Sequence, residues 1–397
     1  MTRSTLRTAL AAGALAVLLG SAACAAPAPA APDAAAPNAS TGPACSAPDV
    51  PAPVELRHAT NVTLTAAAGY RVLTVAQPYP GGAPESYVLV GCGTPAPDLP
   101  AELAGAPVIN TPVESVYAES TTQLAMLADI GAVDALTGVG APDLVSGPEV
   151  RERIDAGEVA GFAENGQLAT EAVLAAGPDV LLGQGIDNPA YATLRGAGIP
   201  VIGWAEFLER GPLAQAEWVK VMGALTGREA EANQVFDEVE RRYTELAARV
   251  AGVAPTPVLA GQLYGGTWVV PAGASTAGIL IRDAGGTWSE AGSGGTDDVE
   301  KNFETVFATD GDAPVWLADG PWPTRADVLA ADPRYAELAA VQSGQVWNRD
   351  RGTSGTGGVP IYERGVAHPE EVLADLVAVL HPDVLPGHRF TNYREVR

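Results

Sequence analysis

From residue 54 onward the apolar positions fall into short runs whose period changes along the chain. Residues 61–65 alternate in polarity, 70–76 are rich in β-branched and apolar side chains, and 86–91 repeat that pattern. Ala68-Gly69 and Pro80-Gly81-Gly82 punctuate these runs, which predicts a small antiparallel β element. Further on, brief apolar runs at 115–117, 136–139, 180–182 and 201–204 are separated by stretches of helical period at 121–130, 170–176 and 189–198. Strands alternating with helices predict an α/β lobe. Residues 213–250 then sustain the helical period, with Gly223 and Gly227 as the only breaks. Arg228, Glu229, Glu231, Glu238, Glu240, Arg241, Arg242 and Glu245 line one side of this stretch; Leu225, Val235, Val239, Leu246 and Val250 line the other. Such a helix predicts a rigid connection between two lobes. Strands resume at 257–263, 315–317 and 346–347, giving the second α/β lobe.

The first residues change where this body is expected to work. Arg3 and Arg7 precede an uncharged stretch from Ala9 to Gly20, and Ala22-Ala23 stand before Cys24. A positive start, a short apolar run and small residues read as a secretory signal peptide. The apolar run falls short of the roughly 20 residues that a membrane-spanning helix needs. Cys24 after small residues resembles a bacterial lipobox, with Ser21 departing from the usual Leu; ordinary secretion with nearby cleavage is the alternative. Residues 25–53 are nearly all Ala, Pro, Ser, Asp and Thr, and read as an extended tether. In an oxidising compartment, with Cys24 lipidated, Cys45 and Cys92 are left as a pair, and a disulfide is the expectation; two buried thiols are the alternative. The net charge of -24 repels phosphate backbones, so nucleic acid is excluded as a partner. Four histidines (His58, His368, His381 and His388), with no His-rich tract, give little support to a dedicated transition-metal site.

The two lobes echo each other. Thr170-Glu171-Ala172-Val173-Leu174 leads through Gly177-Pro178 into the run 179–182, and Phe303-Glu304-Thr305-Val306-Phe307 leads through Asp312-Ala313-Pro314 into the run 315–318. Each is a short helix with an early Glu, which suits the positive end of the helix dipole. That is one reading of Glu171 and Glu304; equivalent surface contacts on a pseudo-symmetric body is the other. No nucleophile elbow, phosphate loop or His-Glu-x-x-His stands in a supportive context, so a secreted α/β enzyme and a non-catalytic surface scaffold are the alternatives to a binding protein. Asp297, Asp298 and Glu300 fit no known calcium loop and read as solvated acids.

Residues 118–127, then Ile130-Gly131-Ala132-Val133 and Leu136-Thr137-Gly138-Val139-Gly140, resemble the first strand–helix–strand of the iron-siderophore and vitamin B12 substrate-binding proteins of ABC importers. Residues 368–376, with His381-Pro382-Asp383, Pro386-Gly387-His388 and Tyr393-Arg394, resemble the carboxy-terminal helix and tail of that group, and 87–95 resemble the extension of one branch. The resemblance covers roughly residues 54 to 396. It implies two Rossmann-like lobes joined by a single long α-helix, with ligand in the cleft, no catalytic residues and no resident cofactor. It further implies that a Glu on each lobe, Glu171 and Glu304 here, meets basic residues of the permease. His368 stands where related chains often place Arg, and carries no ligand role.

The expected division is a lipoprotein signal peptide at 1–24, a tether at 25–53, a β extension at 54–100, lobes at 101–210 and 253–397, and a connecting helical segment at 211–252. The expected protein is a monomer, lipid-anchored outside the cytoplasm, with a metal chelate and a permease as its partners. Ser120 and Thr121 open a helix after a strand, where hydroxyls and free N–H groups hold a polar ligand edge or serve as a plain N-cap. Gln184 follows the next buried strand at the end that faces a cleft in open α/β sheets. Tyr264, Trp268, Trp288 and Trp322 stand beside glycines and suit a bulky, partly apolar ligand, with core packing as the alternative. Arg349 and Arg351 suit carboxylate, catecholate or hydroxamate oxygens, with a solvated loop as the alternative. The favoured cargo is therefore a ferric siderophore, ahead of cobalamin and haem.

Overall fold

The alternation that begins near Asn61 forms a hairpin. A computed structural model describes residues 53–397, apart from Ala96 and Asn165. Strands β1 (Val62–Ala67) and β2 (Tyr70–Val75) pair antiparallel around Gly69, whose φ of 84° favours a residue without Cβ. Strand β3 (Glu85–Gly91) continues the meander. A fourth strand, β4 (Val108–Thr111), then lies parallel to β3, so the extension is a mixed sheet that reaches past residue 100. The long link between β3 and β4 permits this crossover. Val62, Leu73, Val75, Tyr87, Leu89 and Ile109 join the core of the first lobe, so the extension is part of that body.

The first lobe runs β5 (Val116–Ala118), α1 (Leu124–Asp129), β6 (Leu136–Val139), α2 (Pro148–Asp155) and β7 (Ala160–Gly161). The hairpin β8 (Ala163–Glu164) and β9 (Gln167–Leu168) follows, then α3 (Thr170–Ala176), β10 (Val180–Leu182), α4 (Pro189–Gly196) and β11 (Val201–Ile202). Its parallel sheet has the order β11-β10-β5-β6-β7. Val180, Leu181 and Leu182 have no exposed surface, as expected for a parallel sheet covered on both faces.

The connection is three helices, α5 (Pro212–Ala216), α6 (Val219–Thr226) and α7 (Glu229–Val250), where the periodicity predicted one sustained segment. Gly227, at φ 67°, ends α6 in the left-handed conformation. Gly223 stays helical; a Cβ there would lie 2.6 Å from that of Ala232, so this glycine lets α6 and α7 approach closely. The 22 residues of α7 span about 33 Å. Ala232, Phe236 and Val239 on its first half belong to the first lobe's core, and Tyr243 and Val250 to the second lobe's. Each half of the helix is thus set in a different core.

The second lobe begins with β12 (Thr256–Ala260), β13 (Gln262–Tyr264), β14 (Thr267–Val270), α8 (Thr276–Asp283), β15 (Gly286–Thr287) and β16 (Val299–Lys301). The run 257–263 is therefore two strands, broken at Gly261 with φ 82°. Next come α9 (Phe303–Asp310), β17 (Val315–Ala318), α10 (Arg325–Ala331), α11 (Ala339–Ser343) and β18 (Val346–Asn348). The chain closes with α12 (Arg364–Ala367), α13 (Pro369–Leu380) and β19 (Arg394–Glu395). Strands β15-β12-β17-β18 are parallel, with β19 antiparallel at the edge. The order β18-β17-β12-β15 repeats β11-β10-β5-β6 of the first lobe.

Candidate functional site

In each lobe the chain fills the sheet outward from its first strand in one direction, then returns to fill the other side. That reversal falls between β5 and β10 in the first lobe, and between β12 and β17 in the second. Loops leaving the carboxyl ends of such strand pairs diverge and leave a crevice. The two crevices face each other, because the loop after β6 meets the loop after β18. Glu363 in the latter accepts from Ser146 N at 2.6 Å, Ser146 Oγ at 2.7 Å and Gly147 N at 3.0 Å. A Cβ on Gly358 would run into the Leu144 carbonyl.

The first wall is a polar network. Glu119, directly after β5, accepts from the Tyr191 hydroxyl, from Gln184 N at 3.3 Å and from Gln184 Nε2 at 3.2 Å. Burial pushes the Glu119 carboxyl up, and the hydrogen bonds from Tyr191 and Gln184 offset this only in part. Beneath it, Gln123 is fully buried and donates to Gly183 O at 2.9 Å, tying together the loops after β5 and β10. Glu206, after β11, is buried and pushed up to about 7, although the Thr122 side chain bonds it.

Opposite stand Gln262 after β12, Asp319 after β17 and Arg349 after β18. Arg349 donates to Asp319, lies 5.1 Å from the Tyr362 ring centre, and is held above its ordinary value by Asp319 against the opposing effect of burial. The Tyr362 hydroxyl donates to Asp319 at 3.2 Å. Asp298 nearby is pushed up by burial, eased by Arg349 and reinforced by Asp297 and Asp319. The buried polar atoms Gln262 Oε1, Asn348 Oδ1, Arg349 Nε and Asp350 Oδ1 have no hydrogen-bond partner among the described residues. Around both walls the exposed large apolar side chains include Leu144, Ile186, Phe207 and Tyr362, on segments after these strands, and Tyr264 at the end of β13. A rim that apolar on an otherwise acidic protein marks a contact surface.

Elsewhere, a cavity of about 590 Å³ lies between β3–β4 and the end of α4. Arg195 and Tyr87 there are already bonded to Glu85, so that cavity lacks the unmatched polar groups of the cleft. Among the described residues His368, Glu370 and Glu371 gather possible metal ligand atoms within 4.8 Å. His368 is committed, bonding Asp129 at 2.8 Å and Glu370 at 3.1 Å. Burial lowers the imidazole, but those carboxylates outweigh it and hold the group at about 9, a cation that pins α1 to α13.

Several expected ligand residues land elsewhere. Trp268 is fully buried and donates to Ala260 O; Trp288 and Trp322 are 6% and 7% exposed, with Trp288 donating to Pro271 O. All three belong to the second lobe's core, where Trp268, Trp316 and Trp322 each pack edge to face against Tyr335. That corrects their reading as ligand contacts. Tyr264 is 75% exposed at the tip of the β13–β14 hairpin. Ser120 caps the helical turn before α1, accepting from Thr122 N at 3.3 Å, and Thr121 is the first residue of that turn. Gln184 stands in the wall but bonds Glu119. Arg349 and Arg351 form no joint clamp: Arg349 is neutralised by Asp319, and Arg351 is exposed with its N–H bonded to Asn392 O. Sequence reasoning passed over Glu119, Asp319 and Glu206, whose signal is an acid within a few residues of a buried strand's carboxyl end. Glu171 and Glu304 are exposed in the first turns of α3 and α9, the helices leading into the equivalent strands β10 and β17. Glu304 pairs with Arg334 at 3.1 Å. Cys92, after β3, is not a free thiol. Cys24 and Cys45 lie outside the described residues.

The family model for periplasmic binding proteins matches residues 116–350. The chain belongs to that family. This binding protein is 24% identical over 301 residues to an uncharacterized lipoprotein of Methanocaldococcus jannaschii, covering 72% of this chain and 70% of the relative. Its fold is similar to a periplasmic binding protein from Veillonella parvula, with a TM-score of 0.56, 15% identity, and coverage of 83% of this chain and 98% of that one. A periplasmic heme binding protein from Pseudomonas aeruginosa is similar at a TM-score of 0.55 and 20% identity, covering 72% and 98%. The match begins at β5 and ends after β18, so β1–β4 and α12–β19 lie outside it.

Proposed function

We propose that this protein captures a metal chelate in the interlobe cleft, outside the cytoplasm, and delivers it to the permease of an ABC importer. One observation carries the reading: two sheets of matching strand order turn their crevices toward each other across a helix embedded in both cores. Such a body binds with little hinge motion and performs no chemistry. A ferric siderophore is the cargo we favour, since polar groups line both walls. The apolar rim, with Tyr264 and Tyr362, keeps haem and cobalamin as second readings. Lipidation of Cys24 would tether the monomer at the membrane, a Cys45–Cys92 disulfide would fasten the tether's end to β3, and Glu171 and Glu304 would dock on the permease.

A thermal-shift screen with ferric siderophores, haem and cobalamin tests the reading. At a free concentration a hundred times Kd, a true ligand stabilises the folded state by about 2.7 kcal/mol. A flat response to every chelate would refute it.

A further inference from the structure

We propose that Glu363 is a positioning residue that fixes the distance between the two cleft walls before any ligand arrives. The cleft is then a slot of preset width rather than a jaw that closes. What the slot holds rests on the reading that a chelate binds there; its width does not.

Helix α7 alone would leave the lobes free to bend. It starts beside the amino end of β5, where Val113 N donates to Leu225 O at 2.9 Å, and it ends shortly before the amino end of β12. Both of its joints thus lie at the amino ends of the strands, while the walls stand at the carboxyl ends. A bend between Val239 and Tyr243, where α7 passes from one core to the other, would open or close the crevices. A second crossing opposes that motion. After Ile361, which packs on the second core, the chain enters the first lobe, where Val366 and Ala367 of α12 pack; by Val372 it is back in the second. Glu363 stands at the entry, its buried carboxylate accepting from Ser146 N, Ser146 Oγ and Gly147 N in the loop after β6. His368 stands at the exit and bonds Asp129, at the end of α1, at 2.8 Å. The seam has no slack: a Cβ on Gly147 would lie 2.5 Å from Glu363 Oε1, and one on Gly358 would lie 2.3 Å from the Leu144 carbonyl oxygen. Tyr362 precedes Glu363 in the chain, and its hydroxyl donates to Asp319 at 3.2 Å, so holding Glu363 also holds the second wall against the first. Strand β6 spans about 13 Å, which puts this attachment well away from the joints of α7. A change of width would therefore pull directly on the bonds to Glu363, and a slot ordered in advance spares the ligand that cost.

Pulsed electron–electron distance measurements on the full chain test this. Genetically encoded spin labels take the places of Glu171 and Glu304, which are exposed on equivalent helices of the two lobes. With Glu363 intact, one narrow distance distribution is expected, and a ferric trihydroxamate, haem or cobalamin should leave it in place. Glu363→Ala should widen it at least about twofold, with Glu363→Gln between, because the amide nitrogen of Gln would face an N–H that needs an acceptor. Whichever of these probes binds should narrow the alanine variant's distribution again, and bind that variant about 10-fold more weakly through faster dissociation. A merely structural role would lower the urea midpoint and leave the distribution as narrow as before, and that result would overturn the assignment. A distance that shifts on binding with Glu363 intact would also overturn it, while leaving the chelate reading standing. If circular dichroism shows Glu363→Ala unfolded, Glu363→Gln decides, and an unchanged width there would overturn the assignment. Failure of the trihydroxamate, haem and cobalamin to bind would instead bring down the proposed function, and the distances in the free chain would still decide on Glu363.

Discussion

Glu363 gives the sharpest test of how the lobes are held. Its carboxylate, 2% exposed, receives two backbone N–H groups and one hydroxyl from Ser146 and Gly147, where α2 begins. Removing the acceptor in Glu363→Ala strands two amides at a helix start, each costing about 1–3 kcal/mol when buried without a partner. Water can reach partly buried Ser146, so we expect a net loss of about 3 kcal/mol rather than the full sum. With a urea slope of about 3 kcal/mol/M, the midpoint should fall by about 1 M. Glu363→Gln, which keeps one acceptor oxygen, should fall between. Hydrogen exchange at Ser146 and Gly147 should quicken in the alanine variant ahead of the rest of the lobe. Gly147→Ala attacks the same contact from the other side, since its Cβ would lie 2.5 Å from Glu363 Oε1. If Glu363→Ala unfolded within about 0.2 M of the wild type, with exchange at 146–147 unchanged, the strut would not exist.

Three further outcomes follow from other acids. Burial raises Glu206 to about 7, so the folded state holds a proton that the unfolded chain releases near pH 4.5. Stability should then decline as pH rises between those values, by roughly 3 kcal/mol in all, and the wild type minus Glu206→Gln difference in urea midpoint across pH 4–8 measures it. Glu217, fully buried, accepts from the N–H groups of Arg57, His58 and Ala59 and from Lys220, itself 2% exposed. Glu217→Ala should cost about 3–5 kcal/mol in denaturant unfolding by leaving that cation unpaired. Although burial works to raise the Glu217 carboxyl, Lys220 and the amides hold it below its usual range, so its stabilising effect is present above the unfolded value and fades as pH drops through the folded one. Glu171→Arg combined with Glu304→Arg should abolish chelate uptake in cells and leave binding affinity unchanged; lost affinity would move these acids from docking into the pocket.

Much of the fold was legible along the chain because each lobe is made of local signals. Strands β6, β10 and β17 and helix α3 stand where apolar runs and turn residues put them, since a fully buried parallel strand needs little more than a short apolar run. The lobe echo around Glu171 and Glu304 likewise reflects a repeated helix–turn–strand unit, and the repeated strand order bears out its topology. Other features resisted the sequence. The break at Gly261, the parallel placement of β4 and the helical state of Gly223 each depend on a neighbour far along the chain. The tryptophans show the same limit: Trp268 and Trp322 stand beside glycines whether they meet a ligand or one another, and only packing against Trp316 and Tyr335 decides.

By itself, then, the sequence determined the class of elements, their order and the helical character of the connection, because periodicity and turn chemistry act over a few residues. Tertiary structure decided which of its charges are paired. Arg349 is a free cation in the sequence and half of an ion pair in the fold, because Asp319 reaches it only when β17 and β18 lie side by side.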